Sequence, residues 1–359
     1  MYFVGNTSLK HFFELIQVSL GVRDSLSESL SEKEWEEVFT YAMEQTILGV
    51  CFSGIERLPD EQRPQTDMLL QWIGVTWQIE GVGRMMNDRT KEAVDFFRRQ
   101  GFKATVLKGQ GIAQLYPTPE RRQSGDIDIW LDGGRERIYA FAREHDVERK
   151  LHGVNYHHIH YPLFDDVEVE VHIYPCCLNN PFLNQKLHRF FEKYSISEQE
   201  DVPSITFNRI FILLHCFNHL VGHGVGLRQV MDYYFVLKQG FSEEEKNETV
   251  YWLNKLRMYR FAGAMMWLMK EVFGLDDELL LVEPNKKEGL FMLNEICETG
   301  NMGHFDSRNW GSLKTPLSRY LYNIRRDIHF ITHYPQEIIW QPIFNLWLYL
   351  WRSCKGLAK

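Results

Sequence analysis

The sequence predicts an α+β protein in which one small mixed sheet is set between two helical regions. Helix-favouring periodicity with capping signals fills residues 1–100 and resumes from about Phe182. From Gly101 the pattern changes to short apolar runs of period 2 separated by glycine turns. Two of these runs carry carboxylates on alternate positions, about 40 residues apart with a helical segment between them. The resulting division is a helical region over 1–100, an α/β core over 101–180 and a helical region over 181–359.

The elements follow in order. Leu9, Phe12, Phe13, Leu15 and Ile16 fit one helical face. Ser31-Glu32-Lys33-Glu34 is a capping box that opens a helix running to about Leu48. Residues 65–100 read as one long helix ending before Gly101. Residues 104–107 form a strand, 108–111 (Lys-Gly-Gln-Gly) a turn, and 112–116 the start of a helix that Pro117 and Pro119 stop. Residues 127–131 form the next strand and 135–145 a helix. Residues 154–161 and 167–173 alternate with period 2. In the second of these, Val167, Val169, Val171 and Ile173 share one face, with Glu168, Glu170 and His172 on the other. Helices are expected over 208–222, 227–238, 242–258, 260–273, 286–298, 317–332 and 335–351.

The centre of the pattern is Asp126-Ile127-Asp128-Ile129-Trp130-Leu131. A strand sends residues i and i+2 to the same face, so both aspartates project together from a segment whose other face is apolar. Paired carboxylates repel, and a divalent cation is the simplest neutralising partner. A third acid on a neighbouring strand would complete such a centre, and Glu168 and Glu170 both lie on the polar face of theirs.

Composition bounds the function. The 359-residue chain is 44% apolar and 14% aromatic, enough for a proper core without a disordered segment. A net charge of −8 and the lack of a basic block argue against a duplex nucleic-acid partner and a template-directed polymerase. Cys51, Cys176, Cys177, Cys216, Cys297 and Cys354 form no CxxC, so a reducing, cytoplasmic setting is expected rather than a disulfide framework or a zinc ribbon. No signal-peptide pattern opens the sequence, and no run of ~18 apolar residues predicts a membrane span.

Taken together, Leu107-Lys108-Gly109, Tyr116-Pro117-Thr118-Pro119-Glu120-Arg121, Asp126-Ile127-Asp128-Ile129 and Val169-Glu170-Val171-His172 resemble the uncharacterised nucleotidyltransferase family of the polymerase-β-like superfamily. The stretches 214–219 and 227–232 resemble that family's helical half. The resemblance implies a small polymerase-β-like nucleotidyltransferase sheet core, with Asp126, Asp128 and Glu170 as catalytic and metal-ligating residues, Mg²⁺ (or Mn²⁺) as cofactor, and ATP or another NTP as substrate. It thereby selects Glu170 over Glu168. The superfamily usually has Gly-Ser in the turn after the first strand, where this chain has Lys108-Gly109-Gln110. Gly109 would let backbone amides approach a phosphate, Lys108 would supply charge, and Ser124 a hydroxyl. Arg121 and Arg122 would neutralise phosphate.

His215, His219 and His223, at i, i+4 and i+8, form one helical stripe, but neither an HExxH nor a cysteine at ligand spacing accompanies them. His215 and His219 are expected to pack toward the sheet, and His219, His172 and Arg228 are candidate substrate contacts. Arg228 and Asp232 also have the spacing of an intrahelical salt bridge. The expected reaction is Mg²⁺-dependent transfer of a nucleoside monophosphate, AMP from ATP foremost, to an unknown small-molecule or protein acceptor. The alternatives are a catalytically inactive nucleotide-binding or regulatory module and a zinc-dependent hydrolase built on the histidines.

Overall fold

The computed structural model describes residues 7–145, 154–194, 201–308 and 315–354. The N-terminal helices are α1 (Thr7–Ser19), α2 (Glu32–Glu44), α3 (Leu48–Arg57) and the long α4 (Thr66–Arg99). The capping box at Ser31 and Glu34 is formed as expected. The helix it opens ends earlier than the periodicity suggests, because Thr46 turns into the left-handed region (φ 57°) and the chain restarts as α3.

The sheet follows: β1 (Ala104–Val106), α5 (Lys108–Ala113), β2 (Asp126–Leu131), α6 (Gly134–His145), β3 (His158–Tyr161) and β4 (Glu168–His172). Its strand order is β1-β2-β4-β3. β2 and β4 are parallel, joined through α6, and both edge strands run antiparallel to their neighbours. The strand expected over 154–161 keeps only its second half. The backbone N–H of Ile173 bonds His157, while the N–H of Asn155 turns back onto His158. The expected turn at 108–111 is already the first turn of α5, kinked at Gly109.

The C-terminal helices are α7 (Pro181–Lys193), α8 (Ile205–Gly222), α9 (Leu227–Lys238), α10 (Glu243–Lys255), α11 (Tyr259–Glu271), α12 (Lys286–Thr299), α13 (Pro316–Phe330), α14 (Pro335–Ile338) and α15 (Gln341–Cys354). The single helix expected over 335–351 is two pieces. Pro342 stands in the first turn of the second piece, where a missing N–H costs nothing.

Two cores organise these elements. The apolar face of the sheet (Val106, Ile127, Ile129, Val169, Val171) packs on Met86, Val94 and Phe97 of α4 and on Ile138 and Ala142 of α6. Burying a side chain such as Phe97 contributes roughly 2–3 kcal/mol. A larger core joins α1–α3 to the C-terminal helices. The buried Gln45 side chain stitches the two regions, donating to the Ile296 carbonyl and accepting from the Leu227 N–H. No described helix is long and apolar enough to cross a membrane.

Candidate active site

The other face of the sheet is polar, and strand register assembles it. Asp128 pairs with Glu170 across the parallel β2–β4 ladder, and Asp126 with Glu168. Alternation puts Asp126, Asp128, Glu168, Glu170 and His172 on one surface, joined by His158 and His160 from β3. Trp130 ends this face and is sealed by Phe207 of α8 and Phe191 of α7, at ring separations of 5.8 and 6.1 Å. The acids therefore lie at the less covered end. Asp128 is buried, while Asp126 and Glu170 are half-buried.

Two cations stand among the acids. The Lys108 ammonium lies 3.0 Å from Asp128 Oδ1. Burial works against its charge, but Asp128, Asp126 and Glu170 outweigh that and raise its pKa. His172 donates from Nε2 to Asp128 Oδ1 at 2.8 Å and lies 3.4 Å from Glu170 Oε2, with Nδ1 at 3.3 Å from the Tyr174 carbonyl. Burial disfavours the imidazolium, yet the Asp128 and Glu170 hydrogen bonds hold its pKa up to about 9. Burial would raise the Glu170 carboxyl, but the His172 bond and the Lys108 charge hold it well below the usual carboxylate range. Asp126 is shifted the other way, raised first by its like-charged neighbour Asp128 and then by burial. Asp128 Oδ2 has no hydrogen-bond partner although it is buried. Asp128 Oδ2 is thus a buried carboxylate oxygen open to a further ligand, and the carboxylates of Asp126, Asp128 and Glu170 are donors of the type that Mg²⁺ or Mn²⁺ takes.

The turn that carries Lys108 is strained. Lys108 has φ 29° and Gly109 φ 37° with ψ −116°, backbone that a side-chain-bearing residue adopts only at a cost. Leu107 N–H bonds the Asp128 carbonyl at 2.9 Å, so this turn is tied directly to the acid strand. Gln110 is drawn into a network, donating to Asn87 at 2.6 Å and accepting from the Ser124 hydroxyl, which Arg122 also contacts at 2.8 Å. The Gln110 and Ser124 side chains thus bond each other and hold the turn against the loop before β2.

The basic candidates divide. Arg121 is not brought to the acids. It pairs with Glu56 of α3 and Glu80 of α4 and covers the Phe52 ring, clamping its loop to the helices. The loop approaches α4 so closely that a Cβ on Gly83 would stand 2.5 Å from the Glu120 carbonyl oxygen. The intrahelical Arg228–Asp232 bridge is likewise not formed. Asp232 accepts a two-point pair from Arg122, 2.7 Å at each oxygen, and the Tyr116 hydroxyl at 2.7 Å. A planar guanidinium matches both carboxylate oxygens at once, which an i, i+4 neighbour seldom does. Arg228 instead donates to the Gln123 carbonyl at 2.7 Å, and its Nε is buried without a partner. Burial and Arg122 lower its pKa, while Asp126 stabilises its charge.

α8 brings His215 and His219 over the same region, their rings 4.3 Å apart. Burial, then the nearby Lys108 charge, pushes His219 down to about 3, so it is a neutral ring facing the centre. Among the described residues, the groups spaced to hold a metal are Asp128–Glu170–His172, His158–His160–Glu170 and His157–His158–His172. Neither the His215–His219–His223 stripe nor any group with Asp126 is among them, so of the three expected metal ligands only Asp128 and Glu170 fall in one group. In the sequence His157, His158 and His160 stand out only as a histidine cluster ahead of the Glu170 strand, open to zinc and outside the nucleotidyltransferase site, and the Tyr116–Asp232–Arg122 network does not show at all. The period-2 alternation of residues 158–161 was the signal for the former. For the latter there was none, since the partners lie more than 100 positions apart.

No curated protein and no solved structure matches the chain. A family model described as uncharacterised nucleotidyltransferase does, over residues 31–274, well beyond the 101–238 that carry the sequence resemblance. The match takes in α2 through α11, including the whole sheet, the Lys108 turn and the helices bearing His219 and Arg228. With most of its length matched and its acids assembled on one sheet face, the chain belongs to this family of nucleotidyltransferases.

Proposed function

We propose that the protein transfers a nucleoside monophosphate, AMP from ATP foremost, to a hydroxyl or phosphate oxygen of an acceptor. The acceptor oxygen attacks the α-phosphorus, the bond between that phosphorus and the bridging oxygen of the β-phosphate breaks, and pyrophosphate leaves. The observation that carries this reading is the register placing Asp128 opposite Glu170 with Asp126 on the same face. Asp126, Asp128 and Glu170 would hold Mg²⁺, which when bound neutralises triphosphate charge, polarises the reacting phosphate and makes the attacking hydroxyl more acidic. Lys108 and Arg228 supply positive charge around this face, the latter with a donor to spare. The kinked turn at Gly109 leaves room for backbone amides to approach a phosphate. Glu170, whose basicity His172 and Lys108 depress, would help draw the proton from that hydroxyl. His172 compensates the charge of Asp128 and Glu170 and fixes their orientation.

The test is a screen of α-labelled NTPs against cell extract, comparing wild type with Asp126→Ala and Asp128→Ala. Label should pass to an acceptor only with the wild type. Equal labelling by both variants would remove the assignment. A second reading, a nucleotide-binding module without chemistry, draws on one observation: Lys108 already neutralises Asp128 without a metal. Calorimetry separates the two readings. ATP binding that needs no Mg²⁺ and releases no pyrophosphate supports the module.

A further inference from the structure

We infer that a second, nitrogen-bearing metal site lies on the far side of Glu170, formed by His158, His160 and Glu170, and that it takes a borderline divalent transition-metal ion such as Zn²⁺. The backbone builds it. His158 and His160 are i and i+2 on β3 and so share a face, and His160 stands directly opposite Glu170 on β4. His158 Nδ1 lies 3.5 Å from Glu170 Oε2, and His160 Nε2 lies 3.7 Å from Glu170 Oε1. Ligand atoms about 2.0–2.1 Å from a tetrahedral ion are about 3.3–3.5 Å from one another, close to what these pairs show. The two histidines thus face different oxygens of Glu170, and one ligand atom from each of the three residues can be taken with all of them within 4.8 Å of one another.

The surroundings have the form of an outer ligand shell. Glu168 contacts His160 Nδ1, which puts the ring proton on that nitrogen and leaves the Nε2 lone pair toward Glu170. The Asn155 amide donates to His158 Nε2 at 2.7 Å and His157 Nε2 lies 3.1 Å from His158 Nδ1, so a metal ion held at Nδ1 would take the place of the ring proton that these contacts put there. β3 is the edge strand, so the site can be reached from solvent without opening the sheet. Two imidazoles and one carboxylate favour Zn²⁺ and its neighbours over Mg²⁺, which prefers oxygen. The site shares Glu170 with the proposed catalytic centre. It does not otherwise depend on that reading, and Glu170 would bridge a hard and a softer ion.

The experiment uses the full chain, stripped of metal with chelator and titrated with Zn²⁺ alone by calorimetry in the presence of excess Mg²⁺, with Co²⁺ as optical probe. One Zn²⁺ per chain is expected, together with visible Co²⁺ absorption of mixed nitrogen and oxygen ligation. His160→Ala should weaken Zn²⁺ binding by about 100-fold or more. Glu168→Gln, which removes only the orienting charge of a half-exposed side chain, should weaken it by about tenfold. Wild-type Zn²⁺ affinity in His160→Ala would overturn the inference. So would a bound Zn²⁺ that only Asp126→Asn removes, since that ion would sit among the aspartates. The readout is metal binding without nucleotide, so an absence of nucleotidyl transfer counts against the catalytic reading alone.

Discussion

Asp126 and Asp128 differ by two positions and share a face, yet neutralising them should move stability in opposite directions. Asp126 stands about 6.6 Å along the strand from Asp128, which at an effective dielectric near 20 is a repulsion of about 2.5 kcal/mol. Lys108, stabilised by both, offsets a good part of it. Asp126→Asn in the metal-free protein should therefore stabilise the fold by about 1 kcal/mol, or about 2 °C in Tm for a chain of this size. Asp128→Asn does the reverse. Asp128 is 1% exposed, with Lys108 at 3.0 Å and His172 at 2.8 Å, so losing its charge takes the nearest carboxylate from two buried cations and leaves Glu170 and Asp126 to face them. That should cost about 1–3 kcal/mol. Both variants should lose the thermal shift that Mg²⁺ with ATP gives the wild type, and both should lose pyrophosphate release. The assay is thermal denaturation with and without Mg²⁺ and ATP, beside a pyrophosphate assay. Equal destabilisation by the two substitutions would refute the arrangement of charges described here, whatever their effect on turnover.

Other variants test the frame. Glu337 is buried, and burial pushes its carboxyl up to about 7 from an ordinary 4.5, against hydrogen bonds from the Asn179 and Asn180 amides. A raised acid pKa favours the protonated fold, so this contribution is complete below pH 4.5 and is lost as pH rises through about 7. Glu337→Gln should stabilise by up to about 3 kcal/mol at pH 8 and by little at pH 4.5, read by urea denaturation. An equal gain at both pH values would disprove the burial argument. Gly109→Ala adds a Cβ that stays 3.6 Å from the nearest backbone oxygen, so its cost of about 1–3 kcal/mol would come from the φ of 37° alone. It should also raise the KM for NTP, and an unchanged KM would detach this turn from nucleotide binding. Tyr116→Phe removes a buried bond to a charged acceptor and should cost about 1.5–3 kcal/mol in chemical denaturation while leaving the Mg²⁺ and ATP thermal shift in place.

What was legible in the sequence was whatever depends on period and local chemistry. Alternation in 167–173 told the face of Glu170 from that of Val169, and the parallel ladder places them so. Ser31 and Ser242 marked helix starts because a cap is a bond between residues three apart. Side chains whose partners come from distant segments were not legible. Arg121 and Arg122 are adjacent in a loop and look interchangeable on paper. In space one clamps the loop to α3 and α4, and the other locks onto Asp232 of α9. Asp232 was read with its i+4 neighbour Arg228 because local spacing was the only guide. The two-point geometry available to Arg122 won instead.

That exchange of partners bears on the centre itself. Had Asp232 taken Arg228, a guanidinium whose charge acts on Asp126 would have been neutralised from within its own helix. With Asp232 bound to Arg122 and Tyr116, Arg228 keeps its charge with only a carbonyl in direct contact. Around the acids, the positive charge of Lys108 and His172 meets the negative charge of Asp126, Asp128 and Glu170. Arg228 adds its charge on the Asp126 side, and Asp128 Oδ2 is left buried without a hydrogen-bond partner. Lysine carries its charge on a flexible four-carbon stem, so Lys108 is the counter-ion free to swing from a carboxylate to a phosphate, whereas His172 is anchored at both nitrogens. The turn that departs from the usual Gly-Ser pattern thereby supplies a movable charge, the property that the proposed transfer asks of a residue set between the acids and a substrate phosphate.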